Sequence, residues 1–352
     1  MPEYSPADLH AYVVSVFEAM GSENLEATLV ADQLIEANLT GHDSHGIGMM
    51  PAYVECNAGG ELLVNQHVSV VQDSGPILVL DGNKGAGQVQ AREAMEMGIA
   101  RATEHGLALV GLRNSSHIGR IGHWGEQCAA AGMASVHFVN AMGHNPLVAP
   151  YGGREARFVT NPVCIAIPGS DAEPAVLLDM ATSKIAMGKA RVAHNKGVSV
   201  PEGSVIDGQG VLTTDPGAMF DEENPGALVT FGDHKGSGLA IMAELLGAAL
   251  IGGKTSQPGN PRAVRIINNM LTMIIDPNAM GGADHLATEG GAFLDYVRSS
   301  APAQGFDEVL LPGMPEQRSR IARADAIDVD DTTIADLIAA AATVGASAAP
   351  FA

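Results

Sequence analysis

Cysteine is scarce in this 352-residue chain: Cys56, Cys128 and Cys164 are odd in number and share no short spacing. That excludes a disulfide framework and a cysteine-type zinc cluster, and suits a reducing compartment. Positive charge is equally sparse. Nineteen basic residues face 40 acidic ones, for a formal charge of −21, which repels phosphate backbones and anionic lipid. No nucleic acid and no membrane is therefore expected as a partner. No run of eighteen apolar residues exists to span a bilayer, and MPEYSPADLH carries neither the basic start nor the apolar core of a signal peptide. A soluble cytoplasmic protein is expected. The standard nucleotide fingerprints are missing as well. GNKGAGQ (82–88) and GDHKGSG (232–238) do not have the G-x-G-x-x-G spacing. AALIGGKTS places Ala248 where a phosphate loop needs glycine, and follows a helix instead of preceding one.

What is present is an ordered, enzyme-sized chain: 46 % hydrophobic residues and 42 glycines, long for one core and short for three domains. Two closely joined lobes are expected. Ser5-Pro6 can cap and start a helix, with Leu9, Tyr12, Val13, Val16, Phe17 and Met20 on one face and Gly21 as its stop. Ser22 is expected to cap a second helix whose apolar face is Leu25, Leu29, Leu34 and Ile35, ending at Gly41. From Pro76 strands alternate with helices: ILVLDG, LALVGLR, ASVHFVN, FVTNPVCIAIP, AVLLDMA and MLTMIIDP read as strands, with helices after Gly87, over HWGEQCAAAG and over GSGLAIMAELLGAALIGG. The last seventy residues return to helices, separated by LLPGMPEQ, read as a rigid surface loop. Helical ends around a central α/β unit result.

With few aromatics, the chain spends six consecutive positions on GHDSHG (41–46), in the loop after helix two. His42 and His45 are three apart; His117 and His123 follow in NSSHIGRIGHW. A shared metal would need a third ligand at a recognisable spacing, and none stands there, so no metal site is assigned. Proton transfer asks less, because imidazole titrates near neutrality and needs one partner. The plain alternative is a set of satisfied polar loop residues, which weakens at His45 and His117 because glycine and serine around them allow close approach. In LLDMATSKIAMGKAR, Asp179 ends a strand and Thr182-Ser183 can cap the next helix. GDHKGSGLA puts Lys235 and several free amides at a helix start, which suits a phosphate.

GHDSHGIGMMPAY, NSSHIGRIG, TNPVCIAIP, LLDMATS, HKGSGLA and LLPGMPE, in this order, resemble the malate/L-lactate dehydrogenase family. SHGIGM, HIGRIG, QCAAAG and HKG resemble most its hydroxycarboxylate dehydrogenase branch. The resemblance implies an α/β fold built on a non-Rossmann, mixed, largely antiparallel central sheet with N- and C-terminal helical segments. Residues 1–75 with 284–352 would form a helical substrate and dimerisation lobe, and 76–283 the cofactor-binding domain. It implies NAD or NADP as cofactor, a small-molecule 2-oxo or 2-hydroxy acid as substrate and a homodimer. By position, Ser44, His45 and His117 fall on the family's acid/base motifs, with Asp179 joining them as an orienting group. Met49 and Tyr53 fall in the substrate pocket. Asn161, Asp179, Met180, Ala181, Thr182, Ser183, His234, Lys235, Gly236, Pro312, Gly313 and Met314 fall on the cofactor segments.

Two departures stand out. Many relatives carry an arginine soon after SHG that can hold the substrate carboxylate, where this chain has Met49 and Met50. The PGE pattern becomes Pro312-Gly313-Met314, with the glutamate displaced to Glu316. A 2-oxo acid still needs a cation, best a bidentate arginine. Arg120 lies three residues after His117, so on a helical turn it would face the same way and take over the clamp. The expected reaction is then reversible reduction of a 2-oxo acid, with His45 as acid/base, Ser44 on the carbonyl oxygen and His117 polarising it. The rivals are an imine reductase or a ureidoglycolate- or sulfolactate-type dehydrogenase of the same family, a histidine-metal hydrolase using His42, His45 and His117, and a nucleotide-sensing protein without turnover.

Overall fold

The computed structural model describes residues 2–171, 173–260 and 266–351. In chain order the elements are β1 (Glu3–Tyr4), α1 (Pro6–Ala19), α2 (Asn24–Leu39), two 3-10 turns (Asp43–His45 and Ile47–Met49), α3 (Met50–Ala58), β2 (Ser69–Ser74), β3 (Ile77–Asp81), α4 (Gly87–His105), β4 (Leu107–Ser116), α5 (Gly122–Ala130), β5 (Ala134–Met142), β6 (Val163–Ile167) and β7 (Val176–Met180). There follow α6 (Met187–Lys196), β8 (Val205–Ile206), β9 (Leu212–Thr213), β10 (Ala227–Leu228), α7 (His234–Gly247), β11 (Ile267–Ile275), α8 (Ala283–Arg298), α9 (Met314–Ala322), β12 (Ile327–Asp328) and α10 (Asp331–Val344).

Helix α1 forms as its sequence dictates. The Ser5 hydroxyl accepts the Asp8 amide at 3.1 Å, Pro6 opens the first turn, and Leu9, Tyr12, Val13, Val16 and Phe17 are buried. Helix α2 departs from expectation. Ser22 does not cap it; its hydroxyl donates instead to the Glu26 carboxylate at 2.6 Å, and the Asn65 amide donates to the same group at 2.9 Å. Drawing Glu26 inward sets the helix rotation, so Ala27, Val30, Ala31 and Leu34 form the buried face while Leu25 is 69 % exposed. Together α1, α2, α3 and α10 enclose one apolar core.

A second core lies against a seven-stranded sheet of order β2-β3-β4-β11-β5-β6-β7, in which only β3 and β4 run parallel. A largely antiparallel sheet offers no dinucleotide switch point of the doubly wound type, which accounts for the absent fingerprints. Helix α7 runs against β5 and β11, and Gly247 lets it close on the backbone, since a Cβ there would sit 2.7 Å from the Phe138 carbonyl. A third, smaller core gathers α6 with the three-stranded sheet β10-β8-β9.

Two further expectations change. LLPGMPEQ is only partly loop: Gly313 takes φ 92° and Pro315 occupies the first turn, so α9 begins at Met314. Thr182 and Ser183 cap nothing, because their hydroxyls donate to the carbonyls of Thr160 at 2.7 Å and Ile185 at 2.8 Å. No helix among the described residues is long and apolar enough to cross a membrane.

Candidate active site

The GHDSHG segment follows α2 as a 3-10 turn over Asp43–His45, pinned from both sides. Asn38 spans it, donating to Asp43 at 2.7 Å and accepting the Ile47 amide at 2.8 Å. Arg323, just past the C-terminus of α9, holds Asp43 at 2.7 Å. The turn leaves the His45 ring partly exposed, beside a ring from the far side of the sequence. His117 directly follows β4, and the two imidazoles stack with centroids 5.5 Å apart and planes 26° from parallel. These two histidines, 72 positions apart, meet as expected.

Each ring has one nitrogen engaged. Ser44 Oγ lies 3.0 Å from His45 Nδ1. The Tyr53 hydroxyl lies 2.6 Å from His117 Nδ1, and Gln88 Nε2 donates to that hydroxyl at 2.8 Å. A tyrosine oxygen that accepts from Gln88 has its own proton left for His117, which fixes His117 with Nδ1 as acceptor and Nε2 carrying hydrogen. Serine imposes no such choice, because its hydroxyl can donate to Nδ1 or accept from it. Burial, the charge of His42 and that of Arg120 push His45 down to about 4. Burial, with His45 and His144 adding to it, pushes His117 down to about 3. Both rings are neutral at pH 7.

Several expected roles take other forms. Ser44 orients His45 instead of standing free for a carbonyl oxygen. Tyr53, expected in the substrate pocket, is 3 % exposed and orients His117. Met49 is partly exposed at the start of α3, whereas Met50 is fully buried in the helical core. Asp179 makes no hydrogen bond to an imidazole among the described residues; it accepts the Gly122 amide at 2.9 Å, placing a carboxylate at the N-terminus of α5. Burial raises its pKa while the facing Arg120 pulls the other way. His117 and Arg120 share no helical turn, because the chain between β4 and α5 is irregular there. The Arg120 side chain is 2 % exposed, pairs with Glu126, and has Asp179 at 3.7 Å. Its Nε and Nη1 are buried without hydrogen-bond partners among the described residues.

The cofactor segments converge in part. The Phe231 amide donates to the Thr182 carbonyl at 3.0 Å, and Ser183 bridges Thr230, so the turn after β7 is bound to the start of α7. A Cβ on Gly236 would collide with the Phe231 carbonyl, so only glycine fits this junction. The amides of Lys235, Gly236 and Ser237 are not free: they bond back to Gly232, Phe231 and Asp233. What α7 presents to an anion is its dipole and the exposed His234 and Lys235 side chains, with open space over Gly238. Asn161 is wholly buried, its amide spent on the Ala240 carbonyl at 3.2 Å and Glu244 at 2.9 Å, which keeps its side chain inside the fold. Met180 and Ala181 are partly exposed. The Pro312 carbonyl accepts the Leu177 amide at 3.4 Å, and the Met314 sulfur accepts the Leu311 amide at 3.1 Å. The displaced Glu316 reaches His42 at 3.3 Å, tying α9 to the histidine turn. Gln88, inside a helix, carries no signal in sequence; Glu316 shows there only as a glutamate displaced from its expected place.

Comparison with known proteins follows the same lines. Residues 4–338 match the family model described as malate/L-lactate dehydrogenase. Hydroxycarboxylate dehydrogenase B of Escherichia coli (strain K12) is 51 % identical over 318 residues, covering 89 % of this chain and 86 % of that protein. The L-lactate dehydrogenase of Cupriavidus necator is 41 % identical over 301 residues, covering 86 % of each. Among solved structures, sulfolactate dehydrogenase from Methanocaldococcus jannaschii superposes with a TM-score of 0.88 at 31 % identity, covering 99 % of this chain and 98 % of that one.

Proposed function

The chain belongs to the malate/L-lactate dehydrogenase family, and from that premise we propose that it reduces a 2-oxo acid reversibly with NADH or NADPH while His45 and His117 manage the proton. It is a 2-hydroxyacid dehydrogenase; the relatives that match it favour this over a histidine-metal hydrolase. The observation that carries the proton assignment is the stacked pair of imidazoles, each with one nitrogen held and the other open.

The two rings divide the task by accessibility and tautomer. His117, 8 % exposed and fixed as a neutral Nε2–H donor, polarises the substrate oxygen. His45, partly exposed and bonded to a serine that tolerates either tautomer, exchanges the proton. In the oxidative direction neutral His45 takes the hydroxyl proton; in the reductive direction it returns it. A neutral ring is ready as a base at pH 7. As an acid it must first be charged, and the incoming carboxylate raises its pKa by opposing the repulsion from His42 and Arg120.

A nicotinamide cofactor supplies the hydride. The exposed Lys235 and His234 at the start of α7 fit its pyrophosphate, with Met180 to Ser183 and Pro312 to Met314 as the neighbouring walls. Arg120 is the proposed clamp for the substrate carboxylate, through its buried Nε and Nη1, which have no hydrogen-bond partner among the described residues, Nη1 having only the Asp179 carboxylate at 3.7 Å. Residues 76–283 would carry the cofactor, and 1–75 with 284–352 the substrate and dimer contacts. A homodimer would cover α8, which buries no residue within the chain and exposes Phe293 and Tyr296. Action in the cytoplasm completes the reading.

The test is absorbance at 340 nm with both cofactors against a panel of 2-oxo acids. Turnover on at least one acid is expected, together with a roughly 100-fold higher KM and a largely kept kcat for Arg120→Ala, the size of a lost hydrogen bond to a charged group. Cofactor binding without oxidation by any acid would contradict the function. An unchanged KM in Arg120→Ala would remove the clamp.

A further inference from the structure

The two glycine-rich stretches that fail as nucleotide motifs, GNKGAG and GGKTS, come together in space. Lys84 from the first and Lys254 from the second line one cavity of about 470 Å³, with Arg113, Asp81, Asn114 and Asn269. That volume suits a small metabolite. The cavity is not part of the histidine site. Nor does it belong to the proposed cofactor segments, since Lys235 begins α7 and Gly252 lies beyond its end. Fourteen helical residues at 1.5 Å each put about 20 Å between them.

The chemistry of the wall is one-sided. Asp81 is its only acidic residue among the described lining, and it is fully spent. One oxygen accepts the Asn83 amide at 3.0 Å and Asn114 Nδ2 at 3.1 Å; the other accepts Arg113 Nε at 3.0 Å. The ammonium groups of Lys84 and Lys254 have no hydrogen-bond or ion-pair partner among the described residues. A described lining with three cations, one already neutralised, has surplus positive charge in a chain whose net charge is −21.

The backbone is also forced here. Asn83, Lys84 and Asn114 all adopt left-handed conformations, at φ 51°, 60° and 55°. Each such non-glycine residue costs about 1 kcal/mol or more, and clusters of them mark places where a side chain is held for a purpose. The held turn continues towards the histidines. Lys84 and Gly85 carbonyls accept from Ser116, and a Cβ on Gly87 would collide with the His117 carbonyl. Gln88, which sets the Tyr53 hydroxyl, follows directly.

We propose that this cavity is a second ligand site, taking a compact oxyanion with two or more negative charges, bound by Lys84, Lys254 and Arg113. Lysine ammonium is a point charge and does not distinguish phosphoryl from carboxylate oxygen. Isothermal titration with pyrophosphate and, separately, with citrate tells the two sources apart. One site per chain is expected for at least one of them. Lys84→Ala and Lys254→Ala should each weaken it about tenfold or more, the size of a lost charge-assisted bond. Asp81→Asn should tighten it if the variant folds, as circular dichroism will report. Neither probe binding the wild-type chain at 10 mM (about ten thousand times the concentration micromolar recognition would need) overturns the proposal. So does binding that both lysine variants leave unchanged. If Lys254→Ala weakens NADH or NADPH binding by the same factor, the cavity is part of the cofactor site and the proposal falls.

Discussion

Two buried places in this molecule hold histidine, and they treat it differently. In the middle of the sheet, His137 on β5 is fully enclosed with both nitrogens bonded, to Thr272 at 3.0 Å and Ser135 at 2.9 Å. At the end of β4, His117 has one nitrogen fixed by Tyr53 and the other open, against a second half-satisfied ring. Burial pushes both His137 and His117 down to about 3, so a depressed pKa does not separate structure from function. The unfilled hydrogen-bonding position does. A fully satisfied imidazole holds the sheet together; a half-satisfied one is available to a substrate.

Acid is the broadest way to stress both regions at once. The unfolded chain's histidines titrate near the ordinary value of 6.5, while His117 and His137 titrate near 3 and His45 and His123 near 4 in the fold. On lowering the pH the unfolded chain therefore binds protons first. The stability these rings contribute is complete above about 6.5 and is lost as the pH falls towards 4 and below. At pH 5 each ring should cost roughly 2 kcal/mol, and denaturant midpoints followed from pH 7.5 to 5 should fall steeply. A flat midpoint over that range would contradict the buried neutral assignment.

His137→Ala sharpens the contrast. It should lower stability by about 2–4 kcal/mol, by opening a cavity and stranding two hydroxyls, while the folded enzyme keeps its kcat. Loss of turnover in a variant that remains folded would place His137 in the chemistry. Tyr53→Phe acts in the reverse sense and more mildly. Removing the hydroxyl frees the His117 tautomer, so kcat should fall about tenfold with KM little changed, the effect of one hydrogen bond. An unchanged kcat would mean that His117 needs no orienting partner.

Much of this architecture is legible in the residues themselves. The Ser5-Pro6 start, the apolar spacing of α1 and the strand runs from Ile77 to Met180 need only local chemistry, and they form where the pattern puts them except that FVTNPVCIAIP is strand only over Val163–Ile167. The failed fingerprints correctly point away from a doubly wound sheet. What sequence does not reveal is competition between partners distant in the chain. Ser22 is a good cap on its own, but Glu26 takes its hydroxyl once Asn65 folds over. The amides at the start of α7 look free until the 231–233 turn claims them. Arg120 stands out in sequence as a cation near His117, but nothing there shows that Glu126 pairs with it and that Asp179 stands 3.7 Å away. His45 and His117 were recognisable as candidates from their glycine and serine neighbours; Gln88, which completes the Tyr53 arrangement, was not.

The most direct measurement is the single-turnover hydride step at 340 nm, with cofactor bound and a saturating 2-oxo acid, in His45→Gln and His117→Gln. Both variants should slow that step by about 100- to 10,000-fold, the range for a lost acid/base or polarising group, while cofactor affinity stays within about twofold. A wild-type rate in both would contradict the pairing of these rings as the proton-handling centre.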